Sequence, residues 1–249
     1  MSGHSKWATT KHRKGAKDSA RAKVFAKLIR QVEVAAREGG GDPEANAALR
    51  TMFQKARESS VPLDTIERAI KRGTGELEGV RYDPVSYEGY GPGGVAVIVE
   101  TLTDNRNRTS AEIKHLFGKN GGAIAEPGAV SWQFNRKGVV EVEGPVDEDQ
   151  LLEWIMEAGA ENYEANGKNY TVTTEPHDVG AVRNELEGHG LKVLSADLTL
   201  VPQNTIPVSD EGEAKKILRL MDAIDEHDDV QNVYANFDID DDLLVAYDG

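Results

Sequence analysis

The apolar residues of this chain keep a helical period up to about residue 78 and then alternate between strand and helix spacing, with no repeat at the periods of a solenoid. Phe25, Leu28, Ile29, Val32 and Ala36 fall at i, i+3, i+4, i+7 and i+11, one stripe of a helix whose other side carries Lys23, Lys27 and Arg30. Gly39-Gly40-Gly41 ends this helix. Asp42 as N-cap and Pro43 at the first helical position predict a second one, with Leu49, Met52, Phe53 and Ala56 inward. Asp64 and Glu67 predict a third, running through Ile66, Ala69 and Ile70 to a terminating Gly73. Three helices of this size can share one small core.

Beyond that point the pattern alternates. Val85 to Tyr90 reads as a half-buried strand, Gly91-Pro92-Gly93-Gly94 as a turn, and Val95 to Val99 as a buried strand, giving a hairpin. Thr109 and Glu112 form a capping box for a helix carrying Ile113, Leu116 and Phe117, and Val130 to Phe134 reads as the next strand. From Val139 onward the order is strand, helix (Leu151, Leu152, Ile155, Met156), hairpin (Tyr163 and Tyr170 to Thr173), helix (Val179, Val182, Leu186) and strand (Val193 to Val201). That β-α-β-β-α-β order is the ferredoxin-like pattern. Ala214 to Ile224 then reads as a helix and Val230 to Phe237 as a closing strand. The expected fold class is therefore α+β in three domains: residues 1–78 as a basic N-terminal arm and helical domain, 79–135 plus 202–249 as one α+β domain, and 136–201 as a ferredoxin-like domain inserted in it.

Charge is segregated along the same lines. Residues 1–75 hold 16 basic and 8 acidic side chains, 76–137 hold 7 and 8, and 138–249 hold 6 and 27, within a formal net charge of −14. A uniformly acidic surface would repel phosphates. Binding, however, responds to the field within about a Debye length, roughly 8–10 Å, so a basic head on an acidic body remains a candidate polyanion contact.

Several function classes find no support. The chain has no cysteine, which excludes disulfides, thiolate metal sites and a Cys nucleophile. Met1 to Trp7 lacks the apolar core of a signal peptide, and no run reaches the roughly 20 apolar residues of a membrane helix, so the expectation is a cytoplasmic protein without membrane contact. His4 and His12 lie in the basic arm; His115, His177, His189 and His227 are scattered without metal-ligand spacing. Gly91-Pro92-Gly93-Gly94 lacks the Gly-Lys-Ser/Thr ending of a P-loop. The acids Asp225, Glu226, Asp228, Asp229, Asp238 and Asp240 to Asp242 lack the glycine turn of a calcium loop and read as a solvated face. No cofactor is expected, and no nucleophile–base pair stands out, so the expectation is a protein that is not an enzyme.

Two segments are candidates for nucleic-acid contact. The first is the run Lys6, Trp7, Lys11, His12, Arg13, Lys14, Lys17, Arg21, Lys23, Lys27 and Arg30, where a pliable arm leads into a basic helix. Trp7 either stacks on a base or packs back onto the helical domain. The second is Asn105, Arg106, Asn107 and Arg108, between a buried strand and a helix N-terminus. There the arginines either clamp phosphate while the asparagines read bases or sugars, or they pair locally with Asp104 and Glu112 while the asparagine and threonine side chains cap the helix.

Gly3-His4-Ser5-Lys6-Trp7, Lys11 to Lys14, Lys23 to Arg30, Gly39 to Pro43, Tyr87 to Gly94 and Leu102 to Thr109 resemble, in that order, blocks of the YebC/PmpR family. The resemblance is dense to about residue 135 and looser beyond it. It implies a three-domain, helical-domain-first cytoplasmic protein that binds nucleic acid: a DNA-binding transcriptional regulator, with a ribosome-associated translation factor contacting rRNA or tRNA as the alternative. The physiological target, its sequence and the oligomeric state stay open at this point.

Overall fold

The computed structural model describes residues 18–166, 168–240, 243, 244 and 247. Along the chain these form α1 (Asp18–Gly39), α2 (Ala47–Glu58), α3 (Leu63–Thr74), β1 (Asp83–Tyr90), β2 (Ala96–Thr103), α4 (Arg106–Lys119) and β3 (Ala123–Ala125). Next come β4 (Phe134–Val142), α5 (Glu148–Glu157), β5 (Ala160–Asn166), β6 (Asn169–Thr174), α6 (Val179–Gly188) and β7 (Val193–Pro202). The last are β8 (Ile206–Val208), α7 (Glu211–Asp225), β9 (Val230–Ala235) and β10 (Phe237–Ile239). The fold is α+β, helices first. The described residues divide into two compact units, 18–129 with Asp210–Val233, and Val130–Ser209 with the residues from Tyr234 onward.

In the first unit the α1 stripe meets α2 and α3 over Val32, Ala36, Leu49, Ala56, Ile66 and Ala69, with Phe25, Leu28, Ile29, Met52, Phe53 and Ile70 packed around them. The corner between α1 and α2 closes on Asn46 rather than on Asp42. Asn46 Oδ1 accepts from Leu49 N at 3.0 Å, while Nδ2 donates to the Ala35 and Gly40 carbonyls, both at 2.8 Å. An amide can cap one helix and hold the carbonyls of another; a carboxylate only accepts. Asp42 instead shapes the preceding turn, accepting from Glu44 N at 3.0 Å.

Helix α3 starts directly after Pro62 without a side-chain cap, so Asp64 and Glu67 lie inside its first turns. Gly73 is also internal and buried; Gly75, at φ 83°, is the left-handed terminator. Gly73 is small because α1 crosses there: a Cβ would stand 2.4 Å from the Glu33 carbonyl and 2.8 Å from Ala36 Cβ. Glu33, 2% exposed, accepts from Arg72 Nε at 2.9 Å and Arg37 Nη2 at 3.4 Å, which commits those two cations to the helical core.

The sheet of this unit has strand order β3-β1-β2-β9, and the almost wholly buried β2 lies between β1 and β9. The β1–β2 link is a tight turn through Pro92–Gly94, as the glycines suggest. Ile113 and Phe117 of α4 and Ala214, Ile217, Leu218, Leu220, Met221 and Ile224 of α7 are buried.

The second unit carries the sheet β5-β6-β4-β7, all pairs antiparallel. Leu151 and Ile155 of α5 and Val182 and Leu186 of α6 share a core with Val140, Val142, Tyr170 and Val172. This is the ferredoxin-like arrangement that the element order implies. A short parallel pair, β8 with β10, accompanies it. Two strand expectations change. Ser131–Gln133 is a single helical turn, with Gln133 N bonded to the Val130 carbonyl at 2.9 Å, so β4 begins only at Phe134. The closing strand breaks at Asn236, whose carbonyl accepts from Ile206 N at 2.7 Å, and continues as β10.

Gly73→Ala is expected to destabilise the protein by about 1–3 kcal/mol, because backbone and a helical methyl leave the new Cβ no space. Gly118→Ala on the open side of α4, where nothing lies within 4 Å, is expected to be neutral or to stabilise by up to about 1 kcal/mol. Urea unfolding of both variants checks this; equal effects contradict it.

Candidate nucleic-acid interface

The cationic stripe of α1 is occupied. Lys23, Lys27 and Arg30 repeat at i, i+4 and i+7, and this stripe lies across the C-terminal end of α7 and the turn leading to β9. Lys23 Nζ donates to the Glu226 carbonyl at 3.3 Å. Lys27 Nζ donates to the Asp225 carbonyl at 3.0 Å and to Asp225 Oδ1 at 3.2 Å. Arg30 donates to the Asp228 carbonyl, and its guanidinium stands 5.2 Å over the Tyr82 ring. Two features of the sequence make this pairing favourable. The last carbonyls of a helix lack intrahelical partners and attract cations, and the chain adds Asp225, Glu226, Asp228 and Asp229 at that point.

Asp229 is the centre of the junction. It is 3% exposed, directly precedes β9, and its carbonyl accepts from Leu102 N of β2 at 2.8 Å. One carboxylate oxygen accepts from Arg30 at 3.2 Å; the other accepts from Arg108 Nη2 and Thr109 Oγ1, both at 2.7 Å. An ionised carboxylate only accepts, so Thr109 must give its proton to Asp229. Thr103 Oγ1, 2.7 Å from Thr109 Oγ1, then donates to Thr109, and Thr103 in turn accepts from Asn105 N at 2.9 Å. The result is a directed hydrogen-bond chain from Asn105 through Thr103 and Thr109 to Asp229, in which each bond polarises the next.

Burial by itself would raise the Asp229 pKa, but the hydrogen bonds from Thr109 and Arg108, aided by the charges of Arg108 and Arg30, hold its carboxyl below the ordinary 3.8. Burial and the Asp229 charge push the Tyr87 phenol up, with Arg106 opposing. His227 Nδ1 accepts from Asp229 N at 3.1 Å, which places the ring proton on Nε2, donating to Glu112 Oε2 at 2.8 Å. Glu112, His227 and Asp229 are close enough to face one cation. Their bonds within the protein nevertheless already engage these ligand atoms, and Arg108 and Arg30 supply the positive charge at Asp229.

An open cavity of about 500 Å³ adjoins this cluster. Asp104, Glu112, Glu226, Asp228 and Asp229 outnumber Arg30 and Arg108 on its wall, with Tyr82 and His227 completing it. With that balance the cavity does not attract phosphate.

Lys6, Trp7, Lys11, His12, Arg13, Lys14 and Lys17 lie outside the described residues. Arg21 and Lys23 are exposed. In the second segment Asn105 caps α4, accepting from Arg108 N at 3.1 Å, and Arg108 Nη2 pairs with Asp104 at 2.9 Å. Arg106 reaches Asp83 at 3.3 Å, and Asn107 is exposed. The cap lies four residues before Thr109 because Thr109 is buried on Asp229. Thus Arg30 and Arg108, nominated from separate segments, meet on one carboxylate. Thr103 carries no mark in the sequence, Thr109 is marked there as a cap and His227 as an isolated histidine, and Asp229 departs from the solvated face expected of its acidic run.

Two family models cover most of the chain: the TACO1/YebC protein N-terminal domain over residues 5–76, and the TACO1/YebC second and third domain over residues 82–237. A protein of Halothermothrix orenii named "Probable transcriptional regulatory protein" is 54% identical over 247 residues, 98% of each chain. One of the same name from Natranaerobius thermophilus is 50% identical over 248 residues, 98% of this chain and 99% of its own. Among solved structures, a conserved hypothetical protein of Aquifex aeolicus matches with a TM-score of 0.81 at 45% identity, over 90% of this chain and 93% of that one. No helix among the described residues is long and apolar enough to cross a membrane.

Asp229→Asn is expected to destabilise the protein by about 2–3 kcal/mol at neutral pH, since Arg108, Arg30 and Thr109 lose an ionic acceptor. Because the folded-state pKa of Asp229 lies below 3.8, its contribution is present above that value and is lost as pH falls through the depressed one. Urea unfolding at neutral pH and near pH 3 checks both points. The wild-type advantage over the variant should shrink at the lower pH; a constant difference contradicts the assignment.

Proposed function

We propose, since this chain belongs to the TACO1/YebC family, that it is a non-enzymatic, cytoplasmic, nucleic-acid-binding transcriptional regulator acting on duplex DNA. The observation that carries the reading is the basic face of α1, whose Arg21 and Lys23 stand exposed directly after the basic run of the sequence. Cations on flexible stems suit phosphate contacts, and the arm's Lys6, Lys11, Arg13, Lys14 and Lys17 extend the same charge toward the N-terminus. Arg21 and Lys23 continue the stripe at its exposed end, and Arg106 and Asn107 stand exposed at the start of α4. Trp7 is the candidate for base stacking. Binding rather than chemistry fits the Asp229 cluster, whose described polar groups largely bond to one another. The working division of the chain remains 1–78, 79–135 plus 202–249, and 136–201.

A second reading, a translation factor on the ribosome, is favoured by the carboxylates interleaved with the cations around Arg30 and Arg108. A mixed-charge surface suits a partner made of both RNA and protein better than a continuous duplex.

The two readings separate in a partition experiment, with the pure protein offered equimolar ribosomes and promoter-length duplex DNA at physiological salt. Retention on DNA with sequence preference supports the regulator; retention on ribosomes supports the second reading, and retention on neither contradicts both. Neutralising Lys11, Arg13 and Lys14 to Gln together is expected to weaken binding and to reduce the slope of log K against log salt by up to about 0.9 per lost duplex phosphate contact. An unchanged slope removes the arm from the contact surface.

A further inference from the structure

We infer that the acidic turn between α7 and β9 is an internal competitor for the polyanion: it occupies the α1 stripe in the free protein and is displaced from it when nucleic acid binds. This rests on the nucleic-acid reading above and concerns the regulation of the same surface.

The contacts fall into two layers of unequal strength. In the inner layer Asp229 is buried, holds Arg30, Arg108 and Thr109, and is tied to β2 through its carbonyl. In the outer layer Lys23 and Lys27 reach the Glu226 and Asp225 carbonyls and the Asp225 carboxylate. The layers differ in their acceptors: the Asp225 side chain is 23% exposed and Glu226 is exposed, against 5% for the Asp229 side chain, while Lys23 is exposed and Lys27, at 18%, is half-buried like Arg30. Such pairs are individually weak and screened by salt. The inner layer can therefore keep the junction folded while the outer layer exchanges partners.

The outer layer also has the form that a phosphate strand presents. The carbonyls of residues 225, 226 and 228 and the Asp225 carboxylate offer oxygens to a cation stripe spaced one helical turn apart, with the charges of Glu226 and Asp228 alongside. A duplex offers the same lysines a denser row of oxygens and gains from counterion release, which the internal turn cannot supply. Leaving the turn costs the free protein its outer pairs, so the competitor lowers affinity without removing the binding surface.

The test is the double variant D225N/D228N. It removes two turn charges, keeps every backbone carbonyl acceptor and leaves Asp229 untouched. A charge-matched variant, E148Q/E153Q on α5, removes two acids elsewhere in the chain. Each protein is titrated at low salt with a fluorescein-labelled random-sequence duplex of about two helical turns and with a labelled RNA hairpin. The expected result is binding about three- to tenfold tighter for D225N/D228N on at least one probe, and unchanged binding for E148Q/E153Q. Equal tightening by both variants means that only net charge matters and overturns the inference. No tightening by D225N/D228N, with the wild type still binding, overturns it and leaves the nucleic-acid reading standing. No binding of either probe by any of the proteins overturns both. Thermal unfolding verifies that the variants are folded; if the double variant is not, D228N alone applies the same test, because it removes an exposed turn charge and keeps the carbonyl that Arg30 uses.

Discussion

A buried carboxylate is tolerable only when its charge and its lone pairs are answered, and Asp229 is answered by Arg30, Arg108 and Thr109 at once. These groups come from three places in the chain: the first helix, the start of α4, and the turn before β9. Fixing Asp229 sets the position of β9 against β2 through the Leu102 amide, and it draws the basic helix onto the end of α7. The start of α4 is fixed by the same requirement, because Thr109 must donate to Asp229 while Thr103 holds the Asn105 amide. Loss of that single charge would leave two guanidiniums and a directed hydrogen-bond chain without their terminus.

The cations of this unit perform three different tasks. Arg72 and Arg37 neutralise Glu33 inside the helical core. Arg30 and Arg108 neutralise Asp229 at the junction. Lys23, which is exposed, and Lys27, which is half-buried, meet the carbonyls at the end of α7 and the Asp225 carboxylate, an acceptor more open to water than Asp229. A count of basic residues treats all six alike, yet only the last pair is available to an outside polyanion without dismantling the fold. The rising exposure of the partner acid, from Glu33 and Asp229 to Asp225, separates the scaffold from the surface it presents.

Much of the fold was legible in the sequence because periodicity reports directly on burial. The α1 stripe, the Gly-Pro-Gly-Gly hairpin and the β-α-β-β-α-β order all follow from the spacing of apolar side chains and turn residues. Helix starts were less legible. Asp42, Asp64 and Thr109 are all acceptable caps, yet Asn46, Pro62 and Asn105 precede the helices; for Asn46 and Asn105 the reason is contacts that only the folded chain supplies. The candidate site was half legible. Arg30 and Arg108 could be nominated from charge and loop position, but their meeting depends on Asp229, more than a hundred residues further on. Local sequence makes Asp229 look like one more solvated acid; its burial comes from the sheet order, which brings β9 beside β2.

Hydrogen exchange read by mass spectrometry, with and without bound duplex, tests the division between a fixed inner layer and an exchangeable outer one most directly. The amides of residues 225–228 should exchange faster in the complex, while the Leu102 amide, bonded to the Asp229 carbonyl, keeps its protection. Slower exchange across 225–228 on binding would mean that the acidic turn stays on α1, and it would contradict the account.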